Sequence, residues 1–402
     1  MNSIFSRRAF LCGAVSSLSL SLALSGCKPA ANSGASGGAA GSTTSTNTTP
    51  GGTITIGHFG SLTGSTATFG KSTDNGIRMA FDEINAKNPP LGQKITLITE
   101  DDGSRTEQVP TVVQKLINQD QVLCLMGEVA SSRSLAAAPI AQGDKVPMVT
   151  ASSTNPKVTQ IGNYIFRTCF IDPFQGTVMA RFAAQNLKAK KAAILTDVAN
   201  DYSKGLTQFF SQEWTKNGGQ LVSTASYSEG DKDFQSQLTK IKGTNPDVIF
   251  VPGYYSEVGN IAVQARRLGL NQPLLGGDGW DSPKLYEIGG KSLEGCYFSN
   301  HYSSQSKDPR VVKFVADYKT KYGQAPDALG AVAYDAAYIV ADAIKRAGSA
   351  DRTKLRDALA TTKNYVGVTG TISIDKDRNA IKPAVVLKIE NDHENYVTTV
   401  KP

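Results

Sequence analysis

The sequence predicts an α/β protein made of two lobes, each a doubly wound parallel sheet with helices on its faces. Two observations predict this fold class. From residue 53 onward, short β-type apolar runs alternate with segments whose apolar residues repeat at helical spacing, and the whole alternation occurs twice. The chain after residue 52 is also long for one domain, which favours two lobes.

The first alternation follows the order β-α-β-α-β-α-β and ends near Val149. Its first helix has one buried face, marked by Ile77, Ala80, Phe81 and Ile84 at helical spacing. The predicted strands of this lobe lie at residues 53–58, 94–99, 122–126 and 146–149.

A second alternation of the same kind follows a helix that is expected to begin at Asp172. Its strands are predicted at residues 192–196, 221–227, 248–251 and 274–275. Its helices are predicted at residues 204–216, 234–241 and 258–268. Because this pattern repeats the first one, we expect a second lobe of the same architecture.

The C-terminal part contains three helical patterns followed by two β-type runs. The helices are predicted at residues 309–322, 327–346 and 354–361, and the runs at 370–374 and 384–389 are expected to form a hairpin-like pair. We expect the helices to return and cover the first lobe, so that the chain crosses between lobes several times and forms a hinge. The expected lobes are residues 53–171 with 300–380, and residues 172–299 with 381–402.

Residues 1–26 are predicted to be an export signal. Two arginines precede an apolar run without acidic residues, and this run is too short and too rich in Ser for a permanent membrane span. Residues 24–27, Leu-Ser-Gly-Cys, resemble the lipobox of bacterial lipoproteins, so Cys27 is the expected lipidation site and new N-terminus. Residues 27–52 consist almost entirely of Ala, Gly, Ser, Thr, Asn and Pro, which predicts a flexible tether.

Charge and cysteine usage exclude some classes of function. Loss of the signal removes Arg7 and Arg8 and no acid, so the formal charge falls from +7 to +5. This charge is spread along the chain, with no basic block suited to nucleic acid. Cys124, Cys169 and Cys296 each lie in an apolar run and are expected to be small core residues, although the sequence leaves a disulfide between two of them open.

One segment has some features of a nucleotide-binding loop. Residues 64–72 contain two glycines followed by Lys-Ser, and Asp101 and Asp102 follow the next predicted strand. A phosphate-binding P-loop has about four residues between its glycines. The five residues between Gly64 and Gly70 disturb that geometry, so an NTPase is a minor alternative.

The histidines do not indicate a catalytic or metal site. His58, His301 and His393 are far apart in the sequence and lack Cys or His neighbours at ligand spacing. We therefore expect no metal, no cofactor and no catalytic residues, and we predict a binding function.

Two clusters of hydroxyl residues suggest where a ligand binds. The predicted strands at 122–126 and 146–149 are followed by clusters of small, mostly hydroxyl residues at 130–132 and 152–154. If a helix at 135–142 joins these strands in parallel, both clusters meet at the carboxyl edge of the sheet, where open α/β sheets bind ligands. Hydroxyls and N–H groups at a helix start suit a carboxylate, although ordinary helix caps and turns would show the same residues.

The second lobe offers an acidic group for the other end of such a ligand. Asp278 follows a predicted strand in a Gly-rich loop, so it can face the hydroxyl clusters across the cleft. A carboxylate opposite a carboxylate-binding site is what an α-amino acid zwitterion needs, whereas an Asx-turn is the alternative role for Asp278. Tyr202 and Tyr254 share this edge, as pocket walls or as packing residues.

Several short motifs, in their order, resemble the type I periplasmic binding proteins of branched-chain amino acid and amide ABC importers. The motifs are Gly60-Ser61-Leu62-Thr63-Gly64, Gly70 ahead of the first helix, Glu100-Asp101-Asp102, the run at 149–154, and Pro252-Gly253-Tyr254. The resemblance covers nearly all of the folded part. It implies two α/β lobes joined by three crossings, with one small solute between them for delivery to a membrane permease.

The resemblance also implies roles for individual residues. Ser131 and Thr154 are expected to hold the carboxylate of the solute, and the carbonyl of Ser152 and the side chain of Asp278 its ammonium group. Asp278 stands where leucine-binding relatives usually have Glu, and Phe69 stands where they often have Tyr. The expected ligand-binding residues are Phe69, Ser131, Ser152, Thr154, Tyr202, Tyr254 and Asp278.

The expected function is that of an extracytoplasmic, lipid-anchored substrate-binding protein of an amino acid ABC importer. It is expected to be a periplasmic monomer that closes on an amino acid or a related amine or amide, docks on an ABC permease, and catalyses no reaction. Two alternatives stay open at this point, a sensory solute receptor of the same fold and the P-loop NTPase.

Overall fold

The structure is a computed structural model that describes residues 52–402 and contains two mainly parallel sheets. The predicted signal at residues 1–26 and nearly all of the predicted tether, Cys27 included, lie outside the described residues. Within residues 52–402, none of the helices combines the length and the apolar character that a membrane span requires.

The first sheet has five parallel strands in the order β2-β1-β3-β4-β5. The strands are β1 (Thr53–Gly60), β2 (Lys94–Asp101), β3 (Cys124–Met126), β4 (Met148–Thr150) and β5 (Ile165–Arg167), and the helices are α1 (Ala67–Lys87), α2 (Val109–Asn118), α3 (Ser131–Gly143) and α4 (Lys157–Gln160). Alternate strand residues face α2, α3 and α4 on one side and α1 on the other. The first predicted alternation is therefore confirmed, with β5 as one further strand.

The second sheet begins with five parallel strands in the order β7-β6-β8-β9-β10. The strands are β6 (Lys191–Asp197), β7 (Gln220–Tyr227), β8 (Val248–Phe250), β9 (Leu274–Gly276) and β10 (Tyr297–Asn300), and the helices are α5 (Asp172–Gln185), α6 (Asp201–Lys216), α7 (Gln235–Gly243), α8 (Tyr255–Arg267) and α9 (Pro283–Gly289). These helices share one apolar core with the strands, in which Phe210 of α6 stacks on Phe250 of β8. The second alternation is confirmed as well.

The three helices after β10 return to the elements around the first sheet, as predicted. They are α10 (Pro309–Tyr322), α11 (Ala328–Ala347) and α12 (Arg352–Ala360). α11 and α12 share a buried cluster with strands of the first sheet, whereas α10 packs against α1 and α11. α11 runs beside α1 in the same buried cluster. The two helices approach most closely at a pair of glycines, since a Cβ added to Gly76 would lie 2.2 Å from the carbonyl oxygen of Gly330.

The predicted hairpin between residues 370–374 and 384–389 is wrong. β12 (Gly370–Ile374) pairs with β11 (Tyr365–Gly367) and β13 (Ala380–Ile381), whereas β14 (Ala384–Glu390) and β15 (His393–Val400) extend the second sheet as antiparallel strands beside β10. The first four residues of β14 are all buried. A two-stranded hairpin alone cannot bury both faces of such a strand. The packing of the whole lobe therefore determines which strand β14 pairs with.

Within residues 52–402 the chain passes between the two sheets three times, after β5, after β10 and between β13 and β14. We call the first sheet with α1–α4 and α10–α12 the first lobe, and the second sheet with α5–α9 the second lobe. The residue boundaries given above for the lobes stay a prediction. In each sheet the strand order reverses beside the first strand. Open α/β sheets usually bind ligands at the carboxyl ends of the strands beside such a reversal.

Candidate functional site

The first-lobe half of the site is formed by hydroxyl groups after β3 and β4. Ser131 is the first residue of α3, and its Oγ accepts a hydrogen bond from the backbone N–H of Asn155 at 3.2 Å. The cap position of α3 is Ala130, so the Ser131 side chain does not cap the helix and instead joins the two clusters. The Oγ1 of Thr154 is buried and has no hydrogen-bond partner among the residues the structure describes.

A buried charged network supports the loop that leads to Ser131. The Nε of Arg133 lies 3.1 Å from the Oε2 of Glu128, and the Oε1 of Glu128 accepts hydrogen bonds from the backbone and side chain of Ser61. Burial, together with the charge of Glu128, raises the pKa of the nearby Asp102 to about 7. The paired Glu128 and Arg133 fix the start of α3 without presenting an unpaired charge to the site.

The second-lobe half contains two stacked tyrosines. Tyr202 lies in the first turn of α6 and Tyr254 immediately precedes α8, and their ring centroids are 5.4 Å apart. The Tyr202 hydroxyl accepts a hydrogen bond from the backbone N–H of Gly279 at 3.2 Å, whereas the Tyr254 hydroxyl is buried and without a partner in the described part of the chain. Burial raises the pKa of both phenols well above the usual value, so both stay neutral.

Asp278 connects the two halves. It begins the turn after β9, and its backbone N–H donates to the Oε1 of Gln175 at 2.8 Å. Its Oδ2 accepts a hydrogen bond from the Oγ of Ser152 at 3.4 Å and lies 3.0 Å from the Nε2 of His301. Within residues 52–402 its Oδ1 has no partner, although it is buried. The acidic group of the second lobe therefore faces the first-lobe hydroxyls.

Phe69 contacts the second-lobe tyrosines through its ring. It lies in the first turn of α1 and is fully buried. Its ring meets Tyr254 and Tyr255 edge-on, with centroids 5.3 Å and 5.0 Å away. These contacts place an apolar side chain of the first lobe against the tyrosines of the second lobe.

All seven predicted residues lie together between the carboxyl edges of the two sheets. Their exposed fractions range from 0% for Phe69 to 4% for Tyr254. Three of them carry a buried polar atom without a partner among the described residues, namely Thr154, Tyr254 and Asp278. Buried polar atoms are almost always hydrogen-bonded, so these three atoms are candidates for bonding to a small solute.

Three neighbouring residues were not predicted from the sequence. His301 contacts Asp278, and Gln175 accepts hydrogen bonds from the Asp278 backbone and from the Oγ of Ser299. Asp172 is fully buried, its N–H donates to the carbonyl of Thr154, and burial raises the pKa of its carboxyl to about 8. The adjacency of β9 and β10 is the signal that could have found His301, because each residue follows the end of one of these strands.

The segment at residues 64–72 is not a phosphate-binding loop. α1 begins at Ala67, so Gly70 lies inside the helix, not ahead of it, and little loop is left to surround a phosphate. Asp101 accepts hydrogen bonds from the backbone of Leu62 and Gly103, at 2.9 and 2.8 Å, which is a structural role.

The cysteines and the metal-ligand side chains carry no further site. The three described cysteines, Cys124, Cys169 and Cys296, are buried and unpaired, as expected for core residues. Among residues 52–402, no three His, Cys, Asp or Glu side chains group together as ligands for a metal ion.

Comparison with known proteins identifies the family. The model of the periplasmic binding protein family Peripla_BP_6 matches residues 53–394. The Leu/Ile/Val-binding protein BraC3 of Rhizobium johnstonii is 33% identical over 322 residues, which cover 80% of this chain and 87% of that protein.

Two solved structures are similar over nearly the whole described chain. A leucine-binding protein of Thermotoga maritima is 43% identical with a TM-score of 0.84, covering 87% of this chain and 99% of that one. The branched-chain amino acid transporter substrate-binding protein LivJ of Streptococcus pneumoniae, solved with isoleucine, is 34% identical with a TM-score of 0.83, covering 87% of this chain and 100% of that one.

Proposed function

Since this chain belongs to the leucine/isoleucine/valine-binding proteins of the periplasmic binding protein family, we propose that it captures an aliphatic amino acid for an ABC importer. Membership in this family makes it a binding protein and not an enzyme. The proposed ligands are the branched-chain amino acids, because the relatives are named for binding leucine, isoleucine or valine.

The observation that carries this proposal is the pair of unsatisfied polar atoms on opposite sides of the cleft. The hydroxyl of Thr154 can donate to a ligand carboxylate, aided by Ser131 and the free N–H groups at the start of α3. The Oδ1 of Asp278 can accept from a ligand ammonium group. A zwitterion bound in this orientation has both of its charged ends paired. This pairing is needed because an unpaired charge in a buried site costs free energy.

The rest of the site suits an aliphatic side chain. Phe69, Val129 and Leu329 of the first lobe belong to the same buried apolar cluster as Tyr202 and Tyr254 of the second lobe. Apolar walls with a few polar anchors are typical of small-molecule sites. We therefore expect the α-amino and carboxylate groups to be recognised by hydrogen bonds and the side chain by burial.

The proposed mechanism is hinge closure. The first lobe binds the carboxylate, the second lobe closes with Asp278 and its tyrosines, and the closed form delivers the solute to a permease. The protein is proposed to work outside the cytoplasm, anchored through lipid on Cys27. The sequence pattern at residues 24–27 supports this anchoring.

A ligand screen with the purified protein tests the proposal. Leucine, isoleucine or valine at about a hundred times its Kd should raise the free energy of unfolding by about 2.7 kcal/mol, a clear thermal shift. The proposal fails if none of the twenty common amino acids shifts the unfolding transition.

A variant locates the binding site. Thr154→Val keeps the side-chain volume and removes the hydroxyl, so calorimetric titration should show a loss of affinity of about tenfold or more, since one hydrogen bond to a charged group is lost. The matched control is Thr207→Val. The hydroxyl of Thr207 is hydrogen-bonded to that of Thr196 within the second lobe, at 2.8 Å. Equal affinities of the two variants would remove Thr154 from the site.

A further inference from the structure

His301 is a buried imidazole whose contacts point toward the proposed site. It follows β10, and β10 lies beside β9 in the sheet, which brings it against Asp278. Its Nε2 lies 3.0 Å from the Oδ2 of Asp278, and its ring lies over Phe170 with centroids 4.0 Å apart. Its Nδ1 is buried without a partner in the described part of the chain.

These contacts favour the neutral form of His301 with the proton on Nε2. That tautomer donates to the Oδ2 of Asp278, whereas an imidazolium would carry a second buried N–H without an acceptor. Burial lowers the pKa of His301, and the hydrogen bond to Asp278 acts in the opposite direction. Lys382 also disfavours the imidazolium, and Asp172, Cys169 and Tyr202 are further titratable groups that interact with Asp278.

We propose that His301 is a positioning residue that makes the site selective for ligands with an ammonium group. It occupies the Oδ2 of Asp278 and thereby leaves the Oδ1 to the solute. This inference rests on the amino acid-binding function proposed above.

The selectivity follows from the charge of the pair. With His301 neutral, Asp278 carries an uncompensated negative charge in a buried site, so a ligand without an amine leaves that charge unpaired. A protonated His301 would compensate the negative charge of Asp278, so the ligand would no longer have to supply a positive charge. The preference for an ammonium group should then fall as the pH falls.

The test compares leucine with 4-methylpentanoate, which has the same carbon skeleton without the amine. Calorimetric titration between pH 5 and pH 8 gives the ratio of the two affinities for the wild type and for variants. The wild-type ratio should favour leucine and decrease toward pH 5. The part of this decrease that His301→Gln retains is assigned to Asp172, whose carboxyl also becomes neutral in this range. His301→Ala should lower the ratio at pH 8 about tenfold or more, because the Asp278 carboxylate is then no longer held with its Oδ1 toward the ligand ammonium group.

His301→Gln provides the conservative comparison. Its side-chain amide can donate to Asp278 but cannot be protonated, so we expect most of the wild-type ratio at pH 8 and a flatter pH profile. His393→Gln, at an exposed position on β15, is the matched control and should behave as the wild type.

The outcomes separate the two proposals. If the wild type binds neither compound, the proposed function fails. If the wild type binds leucine but His301→Ala weakens both compounds equally, or leaves both unchanged, the role given to His301 is wrong while the amino acid-binding function stands. If His301→Ala does not fold, a His301→Gln pH profile identical to that of the wild type overturns the inference.

Discussion

Asp172 is a buried acid whose charge state should affect stability. Both of its carboxyl oxygens are buried. Burial raises its pKa from 3.8 to about 8, the charge of Asp278 adds to this rise, and the side chains of Thr154 and Gln175 act in the opposite direction. In the unfolded chain the carboxyl titrates near 3.8, so between about pH 4 and pH 8 the folded protein binds more protons than the unfolded one. This group therefore makes the fold less stable as the pH rises through that range.

Asp172→Asn should remove this contribution, because the amide does not ionise. Relative to the wild type, the variant should gain stability with increasing pH, by up to about 1.4 kcal/mol per pH unit. Urea unfolding at pH 5, 6, 7 and 8 measures the difference. Asp377→Asn, at an exposed turn, is the control and should show no such trend. A difference between Asp172→Asn and the wild type that does not change with pH would contradict the assigned charge state.

At the scale of elements, the contact of α1 with α11 depends on the absence of a side chain at Gly76. A Cβ at this position would lie 2.2 Å from the carbonyl oxygen of Gly330, closer than any real contact. Gly76→Ala should therefore push the helices apart and cost roughly 1–3 kcal/mol of unfolding free energy. Chemical denaturation measures this cost.

Gly143→Ala is the matched control for the helix contact. Gly143 is also helical, the last residue of α3, and an added Cβ would meet nothing within 4 Å. Alanine there should be neutral or stabilise by up to about 1 kcal/mol, because alanine has the higher helix propensity. If both variants have the same free energy of unfolding, the close contact of α1 with α11 does not depend on the absence of a side chain at Gly76.

The elements differ in how far the sequence determines them. Each β-α repeat is local, since a helix such as α2 shows its buried face through apolar residues at helical spacing, and these elements were predictable. The partner of β14 was not, because its apolar run is equally compatible with a hairpin and with the edge of a distant sheet. Only the packing of β14 beside β10 distinguishes the two.

The predicted part of the site came from strand ends. Ser131, Thr154 and Asp278 follow strands of parallel sheets, and parallel sheets bring such residues to one edge. The contacts that hold Asp278 could not be predicted from the sequence. Gln175 is 103 residues away, and its rotamer depends on the position of its helix in the folded core. His301 is 23 residues from Asp278, and its role depends on the pairing of β9 with β10.

At the scale of the whole molecule, polar contacts at the rim connect the two lobes. The Oγ of Ser132 accepts a hydrogen bond from the backbone N–H of Asp201 at 2.9 Å. The Oε1 of Glu229 accepts from the Oγ of Ser65 at 3.3 Å and lies 4.0 Å from the Nη1 of Arg133. Arg133 also has Glu128 within its own lobe, so the contact with Glu229 can break without leaving its charge unpaired. With the hinge closure proposed above, such contacts are expected to bias the equilibrium between open and closed lobes without being needed for folding.

Glu229→Ala should therefore shift the unliganded protein toward the open form while preserving the fold. Its radius of gyration in small-angle scattering should increase without ligand and match the wild type with saturating leucine. The apparent affinity should fall about two- to fivefold, since a smaller fraction of the protein is ready to close. Glu287→Ala is the control, because Glu287 pairs with Lys284 within one helix of the second lobe. An unliganded radius and an affinity equal to those of the control would show that the Glu229 contacts do not hold the lobes together.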